Sequence, residues 1–407
     1  MHICVLGAGI VGLATAWQLR SEGHDVTVVD RAAPGSGASR GNGAQLSYSY
    51  VAPLADPAIW GQLPHLLLSA RSPLKIRLQA DPAQWRWCLA FLAACNARTA
   101  HATTARLLAL AASSRSRFDA LRAEFDLDCD FSASGKLVLY RSRDGLTAAS
   151  RQMELQRAMG SVQRLVTPRE CVEIEPALDG HQREIAGAIY TQSDCAADCF
   201  KVCLSLWTML EARGVRFVTP ATIEAFEVRR GRVESVRTDA GAVQAEAFVV
   251  ALGGASARVA RQLGVRLPVY PLKGYSITLD VDRRAMTSPT VSVTDSARKI
   301  VFAGIGSRLR VAGMAELVGD DDRIPADRIR TLVDAARAVF PRCGDFEVTR
   351  PWTGMRPATP TGLPITGRVR GAPDNVLFNT GHGALGFTLA FGSAVELARA
   401  IARPAPR

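Results

Sequence analysis

The sequence contains no apolar run long enough to cross a bilayer and no block of like charges. Aromatic residues make up only 6% of its 407 residues, and no uninterrupted apolar stretch reaches the ~18 residues that a membrane-spanning helix needs. The 49 Lys and Arg outnumber the 38 Asp and Glu, but they are spread along the chain, so most are expected on solvated faces. The excess charge alone would suit nucleic acid, an anionic membrane or an acidic substrate. A basic stripe interleaved with aromatics is missing, so no nucleic-acid partner is expected.

The nine cysteines form no dense disulfide framework, which predicts reduced thiols in a cytoplasmic setting. Cys195, Cys199 and Cys203 are spaced by four residues, so on a single helix they would share one face. Zinc sites use shorter paired spacings and a fourth ligand, and we therefore predict small core residues and no metal. The apolar N-terminus lacks the basic region of a signal peptide and is interpreted as mature sequence.

A glycine motif at the start of the chain is the main feature that is present. A short apolar run leads into Gly7-x-Gly9-x-x-Gly12 and a helical pattern, and a second strand at Val26–Val29 ends on Asp30. In a dinucleotide-binding unit such glycines allow the tight turn, the approach of the pyrophosphate and close helix packing. The acid at the end of the second strand predicts a ribose contact, favouring FAD or NAD over NADP.

The distribution of strand and helix signals predicts two interleaved domains. Residues 57–125 are mostly helical, and a buried parallel strand returns only at 247–253, so the dinucleotide fold is completed late. The predicted fold class is α/β, with a Rossmann-type doubly wound cofactor domain and an interleaved α+β substrate domain built on an antiparallel sheet. The predicted cofactor domain comprises 1–56, 187–260 and 352–407, and the substrate or cap domain comprises 57–186 and 261–351. Trp85 and Trp87 are expected to pack in the core, with a membrane or partner contact as the alternative.

Several further stretches form a pattern with the glycine motif and Asp30-Arg31. They are Asn42-x-x-Gln45-x-Ser47, Tyr50-x-Ala52-Pro53, Pro268 to Ser276, Gly313 to Glu316, Trp352 to Pro360, and Asn379 to Gly386. Together these stretches resemble the FAD-dependent amino-acid oxidoreductases of the D-amino-acid oxidase class, and within it the bacterial D-amino-acid dehydrogenase small-subunit family. The resemblance runs nearly end to end, and its tyrosine-lysine-glycine and arginine-proline stretches are more specific than the glycine triplet. One departure is that Ala44 stands where a glycine is usual.

The resemblance implies a substrate site and a flavin site. Arg356 would bind the substrate carboxylate as a bidentate fork. Tyr275 and Tyr50 would close the pocket or donate a hydrogen bond to the carboxylate, although a core tyrosine is an equal alternative for Tyr275. His382 is expected to be structural, or a backbone contact, rather than a proton shuttle. The implied cofactor-binding residues are Gly7, Gly9, Ile10, Val11, Gly12, Asp30, Arg31, Ser39, Asn42, Gly43, Ala44, Gln45, Leu46, Ile223, Gly253, Gly354, Gly381, His382, Gly383, Leu385, Gly386, Phe387 and Thr388.

The activity that the resemblance implies is FAD-dependent oxidation of a D-amino acid to a 2-oxo acid and ammonia, with electrons leaving to a quinone or another carrier. A cyclic or N-substituted amino acid, such as a D-hydroxyproline or sarcosine, is an alternative substrate, and oxygen is an alternative acceptor. A tRNA-modifying flavoprotein and a catalytically silent flavin-binding subunit are less favoured alternatives. Peripheral association with the inner face of the bacterial inner membrane, and a homo- or hetero-oligomer, stay open.

Overall fold

The first layer is a six-stranded, mostly parallel sheet. A computed structural model describes residues 1–49, 51, 53–61, 74–77 and 79–403. The strands of this sheet are β1 (His2–Leu6), β2 (Asp25–Val29), β9 (Arg216–Val218), β13 (Ala247–Val250), β19 (Ile365–Gly367) and β20 (Val376–Thr380). Their spatial order is β19-β20-β13-β1-β2-β9, and only the edge strand β19 runs antiparallel to its neighbour. The strand order reverses beside β1, so the glycine motif lies where doubly wound sheets bind ligands.

Helices cover one face of this sheet, and a small meander covers the other. The helices of the described residues are α1 (Ile10–Ser21), α2 (Pro82–Ala94), α3 (Ala97–Glu124), α4 (Arg143–Arg157), α5 (Pro168–Ile174), α6 (Cys199–Ala212), α7 (Ser256–Gln262), α8 (Ala326–Val339) and α9 (Gly386–Ala402). Of these, α1, α3, α6 and α9 cover this face. The meander consists of β10 (Ile223–Arg229), β11 (Arg232–Thr238) and β12 (Gly241–Gln244). Apolar side chains of α1, α3, α6 and α9 form one core with β1, and the meander closes a second core. Two cores on opposite faces explain why β13 is apolar throughout and β1 is apolar from Ile3 onward.

A larger mixed sheet forms the second layer. Its strands are β4 (Leu74–Ile76), β5 (Lys136–Tyr140), β6 (Arg164–Val166), β7 (Gly187–Thr191), β14 (Tyr270–Asp280), β15 (Ser292–Asp295), β16 (Ile300–Ile305), β17 (Arg308–Leu317) and β18 (Arg350–Ala358). The order is β18-β14-β17-β16-β15-β5-β7-β6, with β4 on β17. Most pairs are antiparallel, but β15 with β5 and β17 with β4 are parallel. Helix α8 packs on one face, and the predicted fold class is confirmed.

Two strands lie in a different sheet from the one implied by the predicted domain boundaries. β7 and β18 hydrogen-bond within the mixed sheet, to β5 and β14 respectively. The boundaries at 187 and 352 assigned both strands to the cofactor domain, because apolar alternation does not identify the partner of a strand. The division into domains itself stays a prediction.

The prediction that three cysteines share a helix face is wrong for one of them. Cys195 lies in the two-stranded ladder of β3 (Gln45–Leu46) and β8 (Cys195–Ala196), whereas Cys199 and Cys203 lie on α6. All three are buried in the core beneath the parallel sheet. Among the described residues, the segment from Gly383 to Ala402 is long and apolar enough to span a membrane, but 61% of its apolar window is buried in the structure. That burial is typical of a core helix.

Candidate functional site

The three motif glycines differ in what surrounds them. Gly7 has φ +117°, and a Cβ there would lie 2.4 Å from the Ala251 carbonyl oxygen. A Cβ on Gly12 would lie 1.8 Å from the Gly7 carbonyl oxygen, so these two glycines are required by the turn itself. At Gly9 the nearest atom to such a Cβ is Ser39 Oγ, at 3.5 Å. Gly9 therefore leaves room for a ligand at the start of α1, as a pyrophosphate site requires.

Asp30 organises the turn and keeps capacity for a ligand. Its two carboxylate oxygens accept hydrogen bonds from the backbone N–H groups of Ala8, at 2.7 Å, and Ala32, at 3.0 Å. The Asp30 carbonyl accepts from the Ala221 N–H, which brings Ile223 at the start of β10 toward the same end of the sheet. Each carboxylate oxygen has a further lone pair, so Asp30 can still accept from ribose hydroxyls. Arg31 is exposed beside it.

The loop after Asp30 is pinned between the two sheets. Ile10 donates its N–H to Ser39 Oγ at 3.0 Å, and Val11 packs against the first core. A Cβ on Gly43 would lie 3.0 Å from a methyl group of Val301, so the loop runs directly over the mixed sheet. Leu46 is buried in the core beneath the parallel sheet. The loop thus has a defined path from the glycine motif to the mixed sheet.

Ala44 has a backbone conformation that suits the glycine usual at this position. Its φ of +57° is left-handed, a conformation that suits glycine and strains alanine. The Ala44 N–H donates to Asn42 Oδ1 at 2.9 Å, and Arg310 Nη1 donates to the Asn42 carbonyl at 2.9 Å. The Gln45 side-chain amide donates to two carbonyls of the mixed sheet at 3.3 Å each. These hydrogen bonds hold the strained loop in place, and the Gln45 amide attaches the loop to the mixed sheet.

The turn before α9 supplies backbone groups at the opposite side of the site. Gly381 has φ +82°, and a Cβ there would lie 2.6 Å from the Thr359 methyl group. His382 is buried, its Nε2 lies 2.9 Å from Ser393 Oγ, and burial lowers the pKa of His382 to about 3. The imidazole is therefore neutral and structural. Gly253 accepts a hydrogen bond on its carbonyl from Thr380 Oγ1 at 3.2 Å, which ties β13 to this turn.

The first residues of the α9 region continue this wall. Gly383, which has φ +54°, and Leu385 form a short 3-10 turn that runs into Gly386 at the first position of α9. Phe387 is buried in the core, and Thr388 Oγ1 accepts the Ser47 N–H at 3.3 Å. The last helix thus begins against the same loop that the glycine motif leads into. Its N-terminal dipole favours negative charge at that point.

Arg356 is a part-buried cation whose charge no described acidic side chain neutralises. Its Nη1 donates to the Met314 carbonyl at 2.7 Å, and burial lowers its pKa to about 10. Met314 has φ +59° and lies at a β-bulge, where the register of β17 against β14 shifts. Bulges of this kind redirect groups next to active sites. One guanidinium nitrogen is thereby oriented, and the remaining donors can take a carboxylate.

Glycines make space for this arginine and for a neighbouring tryptophan. A Cβ on Gly274 would lie 2.4 Å from Arg356 Cζ, so the guanidinium lies flat over β14. A Cβ on Gly354 would lie 2.0 Å from the Trp352 ring, and one on Gly41 would lie 2.1 Å from that ring. The Trp352 ring thus bridges the edge of the mixed sheet and the cofactor loop. These residues share one face of the sheet, because Gly274 pairs with Gly354 and side chains alternate along a strand.

Tyr275 does not lie on that face. It is fully buried beneath α8, and its hydroxyl donates to Glu316 Oε2 at 2.7 Å, with Arg328 on the same carboxylate. Burial and the Glu316 carboxylate both raise the pKa of Tyr275. The structure does not bring Tyr275 to the face of Arg356, and this geometry fits the alternative of a core tyrosine. Tyr50, the other predicted tyrosine, lies outside the described residues.

Sequence reasoning missed four residues that shape the site. Gly274 and Trp352 lie inside stretches quoted for the resemblance, and strand alternation around Arg356 could have placed both on its face. Met314 acts through its backbone conformation, and Arg310 acts through a long-range hydrogen bond to the Asn42 carbonyl. No local sequence pattern predicts either feature. The site therefore contains a glycine turn, a strained loop, a helix start and an oriented cation.

These elements fit a bound FAD. The Gly7–Gly12 turn and Asp30 would hold its adenosine diphosphate half, and the loop from Asn42 to Leu46 with the turn at Gly381–Leu385 would hold its flavin half. FAD, when bound, supplies the acceptor for a hydride or an electron pair, and the protein supplies position and charge.

Comparison with known proteins agrees with this arrangement. Residues 2–400 match the family described as FAD dependent oxidoreductase. The D-amino acid dehydrogenase 2 of Ralstonia nicotianae is 48% identical over 416 residues, which cover 100% of this chain and 97% of the relative. The D-amino acid dehydrogenase 2 of Pseudomonas aeruginosa is 42% identical, covering 100% and 96%.

Solved structures share the fold at low sequence identity. An L-proline dehydrogenase from P. horikoshii superposes with a TM-score of 0.76 at 19% identity, covering 98% of this chain and 92% of that one. A glycine oxidase from Bacillus cereus gives 0.73 at 18% identity, covering 98% and 94%. From the match over residues 2–400 and the full-length relatives, the chain belongs to the FAD-dependent oxidoreductase family.

Proposed function

We propose that the protein is a dehydrogenase that converts D-amino acids to 2-oxo acids and ammonia. The observation that supports this most directly is Arg356, a part-buried guanidinium above Gly274 with no acidic partner among the described residues. A buried cation without a counter-charge is costly and marks a site for an anion. A substrate carboxylate supplies that anion.

The hydrogen bond from Arg356 to the Met314 carbonyl orients the guanidinium for a carboxylate. Because Nη1 is held by the Met314 carbonyl, the guanidinium cannot rotate freely, and a carboxylate is fixed as a bidentate pair. Fixing the carboxylate orients the Cα–H bond, which is the positional contribution that such a reaction needs from the protein. The Cα hydride would pass to the flavin that the site holds, one amine proton would leave to solvent, and water would hydrolyse the imino acid to the 2-oxo acid and ammonia.

The preference for D-amino acids draws on relatives at 48% and 42% identity that are named D-amino acid dehydrogenase. A cyclic or N-substituted amino acid is the second candidate, because fold neighbours include proteins named L-proline dehydrogenase and glycine oxidase. The same carboxylate clamp would serve both classes. Turnover measured with a dye acceptor, over D- and L-alanine, D-hydroxyproline, sarcosine and glycine, separates them, since the proposal requires D-alanine to exceed the others in kcat/KM.

The electrons would pass to a membrane quinone, with the protein peripherally bound to the inner face of the inner membrane. The positive net charge of +11 suits an anionic lipid surface. Oxygen uptake and reduction of a soluble quinone, followed in parallel on one substrate, test the acceptor. Faster oxygen consumption than quinone reduction would make the protein an oxidase and overturn this part of the proposal.

A further inference from the structure

One part of the surface concentrates exposed apolar side chains. Of the six tryptophans, Trp60 and Trp85 are exposed, at 53% and 47%, and Leu89 is 65% exposed. Trp85 and Leu89 are four residues apart on α2, so they lie on one side of the helix. Trp60 lies at the C-terminal end of α2, because its indole N–H donates to the Cys95 carbonyl at 3.0 Å. The stripe from Trp85 to that end is about 15 Å long at 1.5 Å per residue.

The two indoles are oriented for an interface between water and an apolar phase. Trp85 donates its ring N–H to the Gln79 carbonyl at 3.0 Å, and Trp60 donates to Cys95. Each polar atom is thus satisfied within the protein while the ring stays exposed. Tryptophan at such a boundary is typical of membrane interfaces.

An exposed basic side chain lies beside this stripe, on a chain whose net charge is +11. Arg86 is exposed on α2 directly beside Trp85. Basic side chains near an apolar stripe attract anionic headgroups within a Debye length and leave the apolar rings to enter the interface.

We propose that the docking face, defined by Trp60, Trp85, Leu89 and Arg86, seats the protein on an anionic lipid bilayer. This inference rests on the proposed quinone-linked function and names the surface through which that function meets the membrane. Charge complementarity favours an anionic bilayer over a second copy of this chain, because two molecules of net charge +11 repel each other.

The buried side of α2 connects this face to the substrate site. Trp87 is buried, its Nε1 donates to the Ala358 carbonyl at 2.8 Å, and its ring lies 6.2 Å from the Tyr270 ring. Ala358 is two residues beyond Arg356 on β18, and Tyr270 pairs with Ala358 across the strands. A protein docked through the exposed side of α2 therefore holds the Arg356 strand one helix away from the lipid.

The test is flotation of FAD-loaded protein with two kinds of vesicle, at low and at high salt. One is phosphatidylcholine alone, and the other contains about 30% phosphatidylglycerol. The double variant Trp85→Ser with Leu89→Ser should lose about tenfold in lipid partition for each side chain removed. Arg86→Glu should weaken binding to anionic vesicles only. Leu165→Ser is the matched control, since Leu165 is 47% exposed on the edge strand β6, at the other end of the mixed sheet from β18.

Dye-linked turnover separates loss of docking from loss of function. The proposal expects the docking-face variants to keep dye-linked activity and to lose lipid binding, with Leu165→Ser keeping both. Equal flotation of the double variant and the wild type would overturn it, as would self-association of the wild type through this face in sedimentation equilibrium. A wild-type protein that floats with the vesicles but oxidises no amino acid would support the docking face and overturn the proposed function.

Discussion

At the scale of single residues, the site depends on how Arg356 is held. Its guanidinium is oriented by a carbonyl that a left-handed Met314 presents, and Gly274 gives it the space to lie over the strand. The proposed carboxylate clamp thus consists of one side chain and two backbone features.

Replacing Arg356 by Lys should keep the charge and remove the bidentate geometry. We expect KM for D-alanine to rise by roughly 10²-fold, since each charge-assisted hydrogen bond to a carboxylate contributes about 1.5–3 kcal/mol. Steady-state kinetics with a dye acceptor measure the change. Tyr275→Phe is the contrasting variant, because it removes only the bond to Glu316, and it should lower stability while leaving KM unchanged. A large rise in KM for Tyr275→Phe would indicate that Tyr275 contacts the substrate.

The sequence predicts a substrate-carboxylate role for Arg356 because its whole stretch is specific, and that role stays a prediction. The position of Tyr275 could not be predicted, since its face depends on the strand register, and the pairing of Tyr275 with Thr353 becomes known only in the folded sheet. Met314 and Ala44 carry positive φ angles without being glycine, so the sequence contains no signal for the turns they make.

At the scale of elements, the unit formed by β1, its turn and α1 separates folding from ligand binding. Gly12→Ala would place a Cβ 1.8 Å from a backbone oxygen, whereas Gly9→Ala would place one 3.5 Å from the nearest atom. We expect Gly12→Ala to give little folded protein and Gly9→Ala to fold with weakened FAD binding. Expression yield and flavin content per polypeptide measure the two effects. Full flavin content in Gly9→Ala would contradict the assigned pyrophosphate site.

The substitution Gly274→Ala on β14 should displace the Arg356 guanidinium without destabilising the fold. Gly274→Ala would place its Cβ 2.4 Å from Arg356 Cζ, and the guanidinium, as the end of a flexible side chain, would move away. We expect kcat/KM for D-alanine to fall at least tenfold with unchanged flavin content and melting temperature. Unaltered kinetics would show that Arg356 does not work in the position seen here.

Elements with strong local signals were predictable. The capping box at Thr167 and Glu170, with Pro168 at the first helical position, is visible in the sequence, and α5 begins there. Trp85 and Trp87 show the limit, because both were expected in the core. Trp87 is buried and Trp85 is exposed, since only the packing of α2 on β14 decides which side faces inward.

At the scale of the whole molecule, buried titratable groups link stability to pH. Burial lowers the pKa of His382 to about 3, below the value of about 6.5 of an unfolded histidine. The unfolded chain therefore binds a proton that the native protein excludes, and stability falls as pH falls from about 6.5 toward 3. Urea unfolding at several pH values should show a shallower acid loss in His382→Asn than in the wild type. Parallel curves for the two proteins would mean that His382 is protonated in the native state.

The two-layer architecture was predictable as a class, but its sheet membership was not. The late return of a parallel strand implied interleaving, whereas the assignment of β7 and β18 to the mixed sheet depends on contacts between residues far apart in sequence. The same long-range contacts bring Arg356, Gly274 and the cofactor loop together.

The most direct test of the account is an anaerobic absorption spectrum of the FAD-loaded protein with D-alanine and then with L-alanine. We expect D-alanine to bleach the flavin band, L-alanine to leave it unchanged, and Arg356→Lys to need a far higher D-alanine concentration for the same bleaching. A flavin that neither enantiomer reduces, or that both reduce equally in the wild type and in Arg356→Lys, would contradict it.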